Sequence, residues 1–234
     1  MVSRVPEHRV RVAVNAQHWQ SLSFLHWPVA PAMMQRRLPA GLELDTFDGA
    51  AWVGVTPFLM RYLGTPTVPV ALVPRFVEVN VRTYVRGPDG RDGVWFFSLE
   101  CSRLPVVAGL RLLGLPYMYS RTALGRRGST TRYASRRRCG GGRLAAEVRV
   151  GDPLTGPDAL TTFLTGRWNA YSYAWGQLWR TPIEHEPWPL HHARASVEPT
   201  GLLLADSLPP LAAEPTAHFA PMVRVRIGAP RRSS

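Results

Sequence analysis

Three stretches of this chain carry residues able to do chemistry at spacings that bring them together. Residues 76–86 alternate: Val77, Val79, Val81, Thr83 and Val85 lie on one side, and Phe76, Glu78, Asn80, Arg82 and Tyr84 on the other. A carboxylate, an amide and a guanidinium thus share one face of one strand, with alternate residues about 6.8 Å apart. If that face lines a lumen, Glu78 is a candidate acid or base, Arg82 an anchor for an anion, and Asn80 a bridge to ligand atoms between them. Read alone, the same face equally suits the solvent side of an antiparallel sheet.

The second stretch is Gly114-Leu115-Pro116-Tyr117-Met118-Tyr119-Ser120-Arg121. Gly114 and Pro116 stop a helix, and a strand follows with Tyr117, Tyr119 and Arg121 on one face. Tyr117 can donate a hydrogen bond to a carbonyl, act as an acid if its hydroxyl is brought down from about 10, or merely fill space. Arg121 can bind a carboxylate or phosphate through both prongs of its guanidinium, or pair with Glu78 or Glu100. The third is His26 beside Trp27, either a buried, satisfied histidine or a ligand contact.

The elements that must hold these residues are mostly strands. Alternation or β-rich composition predicts strands at 9–14, 18–25, 42–47, 51–60, 76–86, 94–101, 117–124, 130–138, 143–150, 168–175, 178–183, 192–198 and 222–227. Asp48-Gly49 is a hairpin signal, and Pro57 makes its strand an edge or a bulged one. Short helices are predicted at 28–38, 104–113 with Ser102 as N-cap, 158–166 and 200–206. A proline-rich segment, 64–74, is expected to cross the surface or cover a cavity. With no βαβ rhythm, one β-rich domain over 1–234 is expected, with 1–8 and 229–234 flexible.

Other signals carry less. Glu184-His185-Glu186 and His191-His192 hold metal-ligand types, but Pro187 and Pro189 deny them helical spacing, so a loop packed by Trp188 is the reading preferred, and no metal and no cofactor are expected. Trp168, Tyr171, Tyr173, Trp175 and Trp179 suit either a stacking surface or an aromatic core. Cys101 and Cys139 read as two free thiols of a reduced, cytoplasmic compartment. The N-terminus lacks the continuous apolar core of a signal peptide, and no apolar run approaches a membrane span.

The formal charge is +12, and all 28 basic residues are arginine. The arginine pairs and triplets are scattered through turns and strand ends with no recognition motif, which argues against a nucleic-acid partner. The absence of lysine has a firmer consequence. No side chain can form a Schiff base, which needs a primary amine.

Several motifs together resemble one family. These are His26-Trp27-Pro28, Leu38-Pro39-Ala40-Gly41-Leu42, Asp48-Gly49-Ala50-Ala51-Trp52-Val53-Gly54-Val55, Glu78-Val79-Asn80-Val81-Arg82, Gly93-Val94-Trp95-Phe96-Phe97, Gly114-Leu115-Pro116-Tyr117 and Pro187-Trp188-Pro189-Leu190. As an ordered set over about residues 18–227, they resemble the YqjF-like bacterial family, related to the acetoacetate decarboxylase-like superfamily. The resemblance implies an α+β, β-rich fold, an antiparallel cone or barrel with a few flanking short helices. In the decarboxylases, the stretch similar to Gly114–Met118 carries two lysines, the first of which forms the imine. Here Tyr117 and Met118 stand at those places. The resemblance matches the decarboxylase glutamate to Glu78, and the carboxylate-binding arginine falls near His26. Imine chemistry is therefore excluded while the pocket is expected to persist.

Two main readings follow, with a basic nucleic-acid binder as the third and least favoured. In one, the pocket is that of an enzyme for small oxo-acids or other carbonyl compounds, with Glu78 and Tyr117 catalytic and His26, Asn80, Arg82, Tyr119 and Arg121 binding ligand. In the other, the same barrel is a non-catalytic binding or sensing module. The partner is a small molecule, a carboxylate among the candidates, and self-association into a homo-oligomer stays open.

Overall fold

A computed structural model describes residues 2–7, 9–65, 73–198, 200–208, 211 and 214–233. The expected surface-crossing segment lies largely outside the described residues, at 66–72. In chain order the elements are β1 (Ala13–Val29), α1 (Pro31–Gln35), β2 (Glu43–Leu44), β3 (Ala51–Gly64), β4 (Phe76–Arg86) and β5 (Asp92–Cys101). Next come α2 (Leu104–Arg111), β6 (Tyr117–Arg127), β7 (Thr130–Arg137), β8 (Arg143–Pro153), α3 (Ala159–Thr165) and β9 (Asn169–Ala174). The chain finishes with β10 (Gln177–His185), β11 (His191–Glu198), α4 (Thr200–Ala205), β12 (Thr216–Gly228) and β13 (Arg231–Arg232).

The strands form one hydrogen-bonded sheet that closes twice. The order β5-β6-β7-β8-β11-β12-β1-β3-β4 returns to β5 and makes a nine-stranded barrel. A second circuit, β4-β3-β1-β12-β10-β9-β5, closes through the β10–β12 and β9–β5 pairings. The strands β12, β1, β3, β4 and β5 belong to both circuits, so each face of this shared sheet is covered.

That double closure decides the fate of β4. Its β-branched face, with Val79 and Val81, enters the nine-stranded core beside Leu25, Trp27, Val53, Val55, Leu144 and Val148, plugged by Leu202 and Leu203 of α4. Its other face, bearing Glu78, Asn80, Arg82 and Tyr84, looks into the second circuit. Glu78, Asn80 and Tyr84 are buried there and Arg82 is partly so. The polar side of β4 does not face solvent.

Several local expectations change. The strands read at 9–14 and 18–25 are one strand that starts at Ala13, because no turn residue separates them. Pro57 sits in an interior strand between β1 and β4, not at an edge. The β1–β3 ladder slips between Gln20 and Leu25 opposite it, which accommodates the missing N–H. Asp48 and Gly49, both at positive φ, make the expected turn, closed by the Phe47–Ala50 bridge, but β2 pairs with β4 and not with β3. The N-cap of α2 is Arg103, not Ser102, and has no side-chain cap bond. Two contacts are parallel, β5–β6 and β5–β9, with β5-α2-β6 a crossover unit, and the other strand pairings are antiparallel.

Gly114 ends that crossover at φ 74°, and a Cβ there would lie 2.5 Å from the Tyr173 carbonyl oxygen. Both the turn and the close approach need glycine. The chain ends, read as flexible, carry contacts. Trp168 Nε1 donates to Ser3 O at 2.9 Å, Arg91 pairs with Glu7 at 3.1 Å, and β13 pairs with β10.

Candidate functional site

The site is laid out by cross-strand register on the face of the shared sheet inside the second circuit. One row is His26, Gly54, Arg82 and Phe96, the next Thr56, Asn80, Leu99 and Tyr117, and the third Phe58, Glu78 and Cys101. Neighbouring strands lie about 4.8 Å apart and successive rows about 6.8 Å apart, so these side chains share a patch the size of a small molecule. Gly54 is its bare floor. A Cβ there would sit 3.0 Å from His26 Cδ2 and 3.3 Å from Arg82 Cγ, so glycine lets both lean over it.

At one end, Tyr117 donates its hydroxyl to Glu78 Oε2 at 2.9 Å, both side chains buried. Burial raises the Glu78 carboxyl to about 7, against the lowering effect of the Tyr117 hydrogen bond. A group that changes charge near neutrality is suited to acid/base work. Tyr117 itself is pushed well above its usual value by burial and by Glu78. It is therefore a hydrogen-bond donor, and the acid role allowed to it by the sequence is set aside. The adjacent Cys101 thiol is raised to about 12, mainly by burial, and is inert as a nucleophile.

At the other end, Tyr84 fixes the state of His26. The Tyr84 hydroxyl lies 2.8 Å from Leu164 O, which can only accept, and 2.6 Å from His26 Nε2. One hydroxyl has one proton, so Tyr84 donates to Leu164 and His26 Nε2–H donates to Tyr84. His26 Nδ1 is then a bare acceptor. Burial, and secondarily the charges of Arg82 and His218, hold the ring's pKa well below the ordinary histidine value, so it is neutral.

Arg82 stands between these ends. Its guanidinium lies 5.4 Å from the Phe24 ring centre and 5.9 Å from that of Tyr84. Among the described residues no carboxylate is within ion-pair distance of it. Its interior counterparts differ: Arg137 bonds Glu100 and Asp206, and Arg167 bonds Asp45. Burial alone raises Glu78, with no counter-effect from Arg82. Glu78 and Arg82 stand two rows apart on β4, about 13–14 Å along the strand.

An aromatic wall flanks the patch. Trp188 meets Phe24 edge-on at 4.9 Å, and His185 lies between Trp168 at 4.4 Å and Trp188 at 4.2 Å. His185 Nδ1 donates to Glu186 O at 2.6 Å, and its pKa falls to about 4, chiefly through burial. The sequence set a metal ligand against a loop packed by Trp188 for His185, and its ring does stand against Trp188. No group of metal-binding residues occurs among the described residues.

The structure brings together Glu78, Asn80, Arg82, Tyr117 and His26 on one face. It leaves out Arg121, which is exposed and lies opposite Arg136 in the β6–β7 ladder. The proposed partners of Arg121 are taken by others. Glu100 receives Arg137 Nη2 at 2.7 Å and the Ser120 hydroxyl, and Glu78 receives Tyr117. Glu100 lies on the nine-stranded side of the sheet, beyond reach of the Glu78 face. Tyr119 is at the margin, partly buried, with the Arg138 guanidinium 5.1 Å from its ring centre. Tyr84 and Thr56 were missed as site residues: Tyr84 lies on the same alternating face as Glu78, whereas Thr56 reaches that face only through the β3–β4 register. Surface depressions of about 420 and 700 Å³ lie elsewhere, over β7–β8 and beside the hairpin at 135–143. None of the patch residues lines those hollows.

Comparison with known proteins places this geometry. A family profile described as an uncharacterized conserved protein matches residues 16–224 and so spans every residue of the patch. The protein YqjF of Bacillus subtilis is 32% identical over 214 residues, covering 88% of this chain and 87% of YqjF. Among solved structures, the enduracididine biosynthesis enzyme MppR, complexed with pyruvate, superposes with a TM-score of 0.70 at 17% identity. That match covers 97% of this chain and 93% of MppR. An acetoacetate decarboxylase-like enzyme from Sphingomonas wittichii gives 0.68 at 15% identity, covering 97% and 96%. At such identities these two structures establish the fold alone. The chain belongs to the DUF2071 family of YqjF-like proteins, built on an acetoacetate decarboxylase-like fold.

Proposed function

We propose that the second circuit holds a small carboxylate-bearing molecule, with Arg82 as its anion anchor. Glu78 is the acid/base toward the ligand's oxygen function, Tyr117 its hydrogen-bonding companion, and Asn80 and His26 position the ligand between the two ends. The observation that carries this reading is the inward Arg82 without a carboxylate partner, four residues along one strand face from a carboxyl raised to about 7. A guanidinium in that setting favours an anionic ligand over solvent. The pyruvate complex of MppR supports the same ligand class on this fold. With no lysine, any turnover proceeds by proton transfer and not through an imine. A binding or sensing role on the same patch is favoured by that same loss, and product formation separates the two.

The test is a thermal-shift screen of wild-type and Arg82→Met proteins against small oxo- and hydroxy-carboxylates and their uncharged amides. Stabilisation by carboxylates alone, lost in Arg82→Met, is the expected result. No shift with any carboxylate in a folded wild type overturns the reading.

A further inference from the structure

The patch contains more unmet acceptors than an oxo-acid can satisfy. His26 Nδ1, Asn80 Oδ1, Thr56 Oγ1 and Arg82 Nε are all buried without a hydrogen-bond partner within the described protein. Their residues sit on three adjacent strands of one face: His26 and Arg82 both register on Gly54, and Thr56 registers on Asn80. His26, Asn80 and Thr56 are more than nine-tenths buried. Four such atoms in one patch are unusual, because buried polar groups are nearly always paired.

Their hydrogen-bonding polarity is specific. Arg82 Nε is a donor and suits a carboxylate. Asn80 Oδ1 can only accept. His26 Nδ1 can only accept too, since Tyr84 compels the proton onto Nε2. Thr56 can do either. A 2-oxo acid presents only acceptors at neutral pH, so it serves Arg82 and Thr56 and leaves the two acceptors dry. A hydroxyl on the ligand supplies the missing donor.

We infer that the ligand of this patch is a hydroxy-carboxylate, its carboxylate on Arg82 and its hydroxyl proton given to Asn80 Oδ1 or His26 Nδ1. The inference rests on the function proposed above and narrows it from small carboxylates to those bearing a donor. Sites that hydrogen-bond a ligand hydroxyl discriminate strongly against analogues lacking it, because the buried partner stays unpaired. The ordinary preference is then for the hydroxy over the oxo member of a matched pair, by at least about tenfold.

The experiment is calorimetric titration of wild-type protein, at one pH near 8, with two matched pairs: 2-hydroxypropanoate against 2-oxopropanoate, and 2-hydroxybutanoate against 2-oxobutanoate. The hydroxy member is expected to bind at least tenfold more tightly in both pairs. Tyr84→Phe releases His26 to carry its proton on Nδ1, and is expected to move the ratio toward the oxo member. Asn80→Leu is expected to shrink the ratio, weakening the hydroxy member more than the oxo member. Equal affinities, or tighter binding of the oxo-acids, overturn this inference and leave the carboxylate site standing. No binding of any of the four overturns both. The wild-type ratio decides even if a variant fails to fold.

Discussion

Replacing Glu78 by Gln tests the electrostatics of the patch without a ligand. The exchange is nearly isosteric, and the amide oxygen it introduces can still accept the Tyr117 hydroxyl that Glu78 receives at 2.9 Å. The carboxyl titrates at about 7 in the folded chain and has an ordinary value of 4.5. Between those values the unfolded chain has lost the proton and the folded chain still holds it. Stability linked to Glu78 is therefore complete below pH 4.5, falls as pH rises, and is lost above about 7. At 1.36 kcal/mol per pH unit, the span costs wild type about 3 kcal/mol. His185 runs the other way. Its pKa, lowered from 6.5 to about 4, makes stability rise over that window, so the wild-type profile alone conceals both effects. The difference between Glu78→Gln and wild type isolates Glu78, because the variant has no proton there to lose. Urea unfolding followed by tryptophan fluorescence, at half-unit steps from pH 4.5 to 8, is the assay. The difference is expected to climb in favour of the variant by about 3 kcal/mol and level off past pH 7. A flat difference, or a variant less stable than wild type at pH 8, refutes the raised carboxyl and the acid/base role built on it.

Other consequences are independent of the patch. Arg137→Met leaves Glu100 and Asp206 buried without their cation, and is expected to lose about 3–5 kcal/mol in urea unfolding at pH 7. In native protein, Cys139 alone should react with a thiol reagent. Cys101 is buried with its thiol raised to about 12, so it should react only after denaturation. Simultaneous labelling of both thiols in folded protein contradicts the packing of β5.

Local pattern and close sequence neighbours explain what was readable in advance. The bounds of β4, Phe76–Arg86, follow from strict alternation, and the Gly114 turn from its helix-stop chemistry. The burial of both β4 faces was not readable, since it depends on a second closure joining Ile183 to Ile227 and Val94 to Ala170. The same reason explains Arg121. Residue parity puts it on the Tyr117 face, but the β6–β7 hairpin leaves the covered region within four residues, and parity says nothing about where a roof ends. Arg137, an undistinguished member of an arginine triplet, became the buried partner of Glu100 because α4 and Asp206 close over it. Such pairings join residues 37 to 69 positions apart in the chain, beyond the reach of any periodicity. The Glu78–Tyr117 contact has the same character, yet both residues were singled out by type and by family resemblance.

The most direct test of the carboxylate site compares wild type, Arg82→Met and Arg121→Met in calorimetric titration with one small carboxylate at pH 7. Arg82 points inward with no carboxylate partner among the described residues, and Arg121 is exposed on β6. Loss of a charge-assisted hydrogen bond should weaken binding by roughly ten- to a hundredfold in Arg82→Met. Arg121→Met should bind as wild type does. If all three proteins bind alike, or if Arg121→Met is the one that fails, the ligand does not sit against Arg82 and the site is wrongly placed.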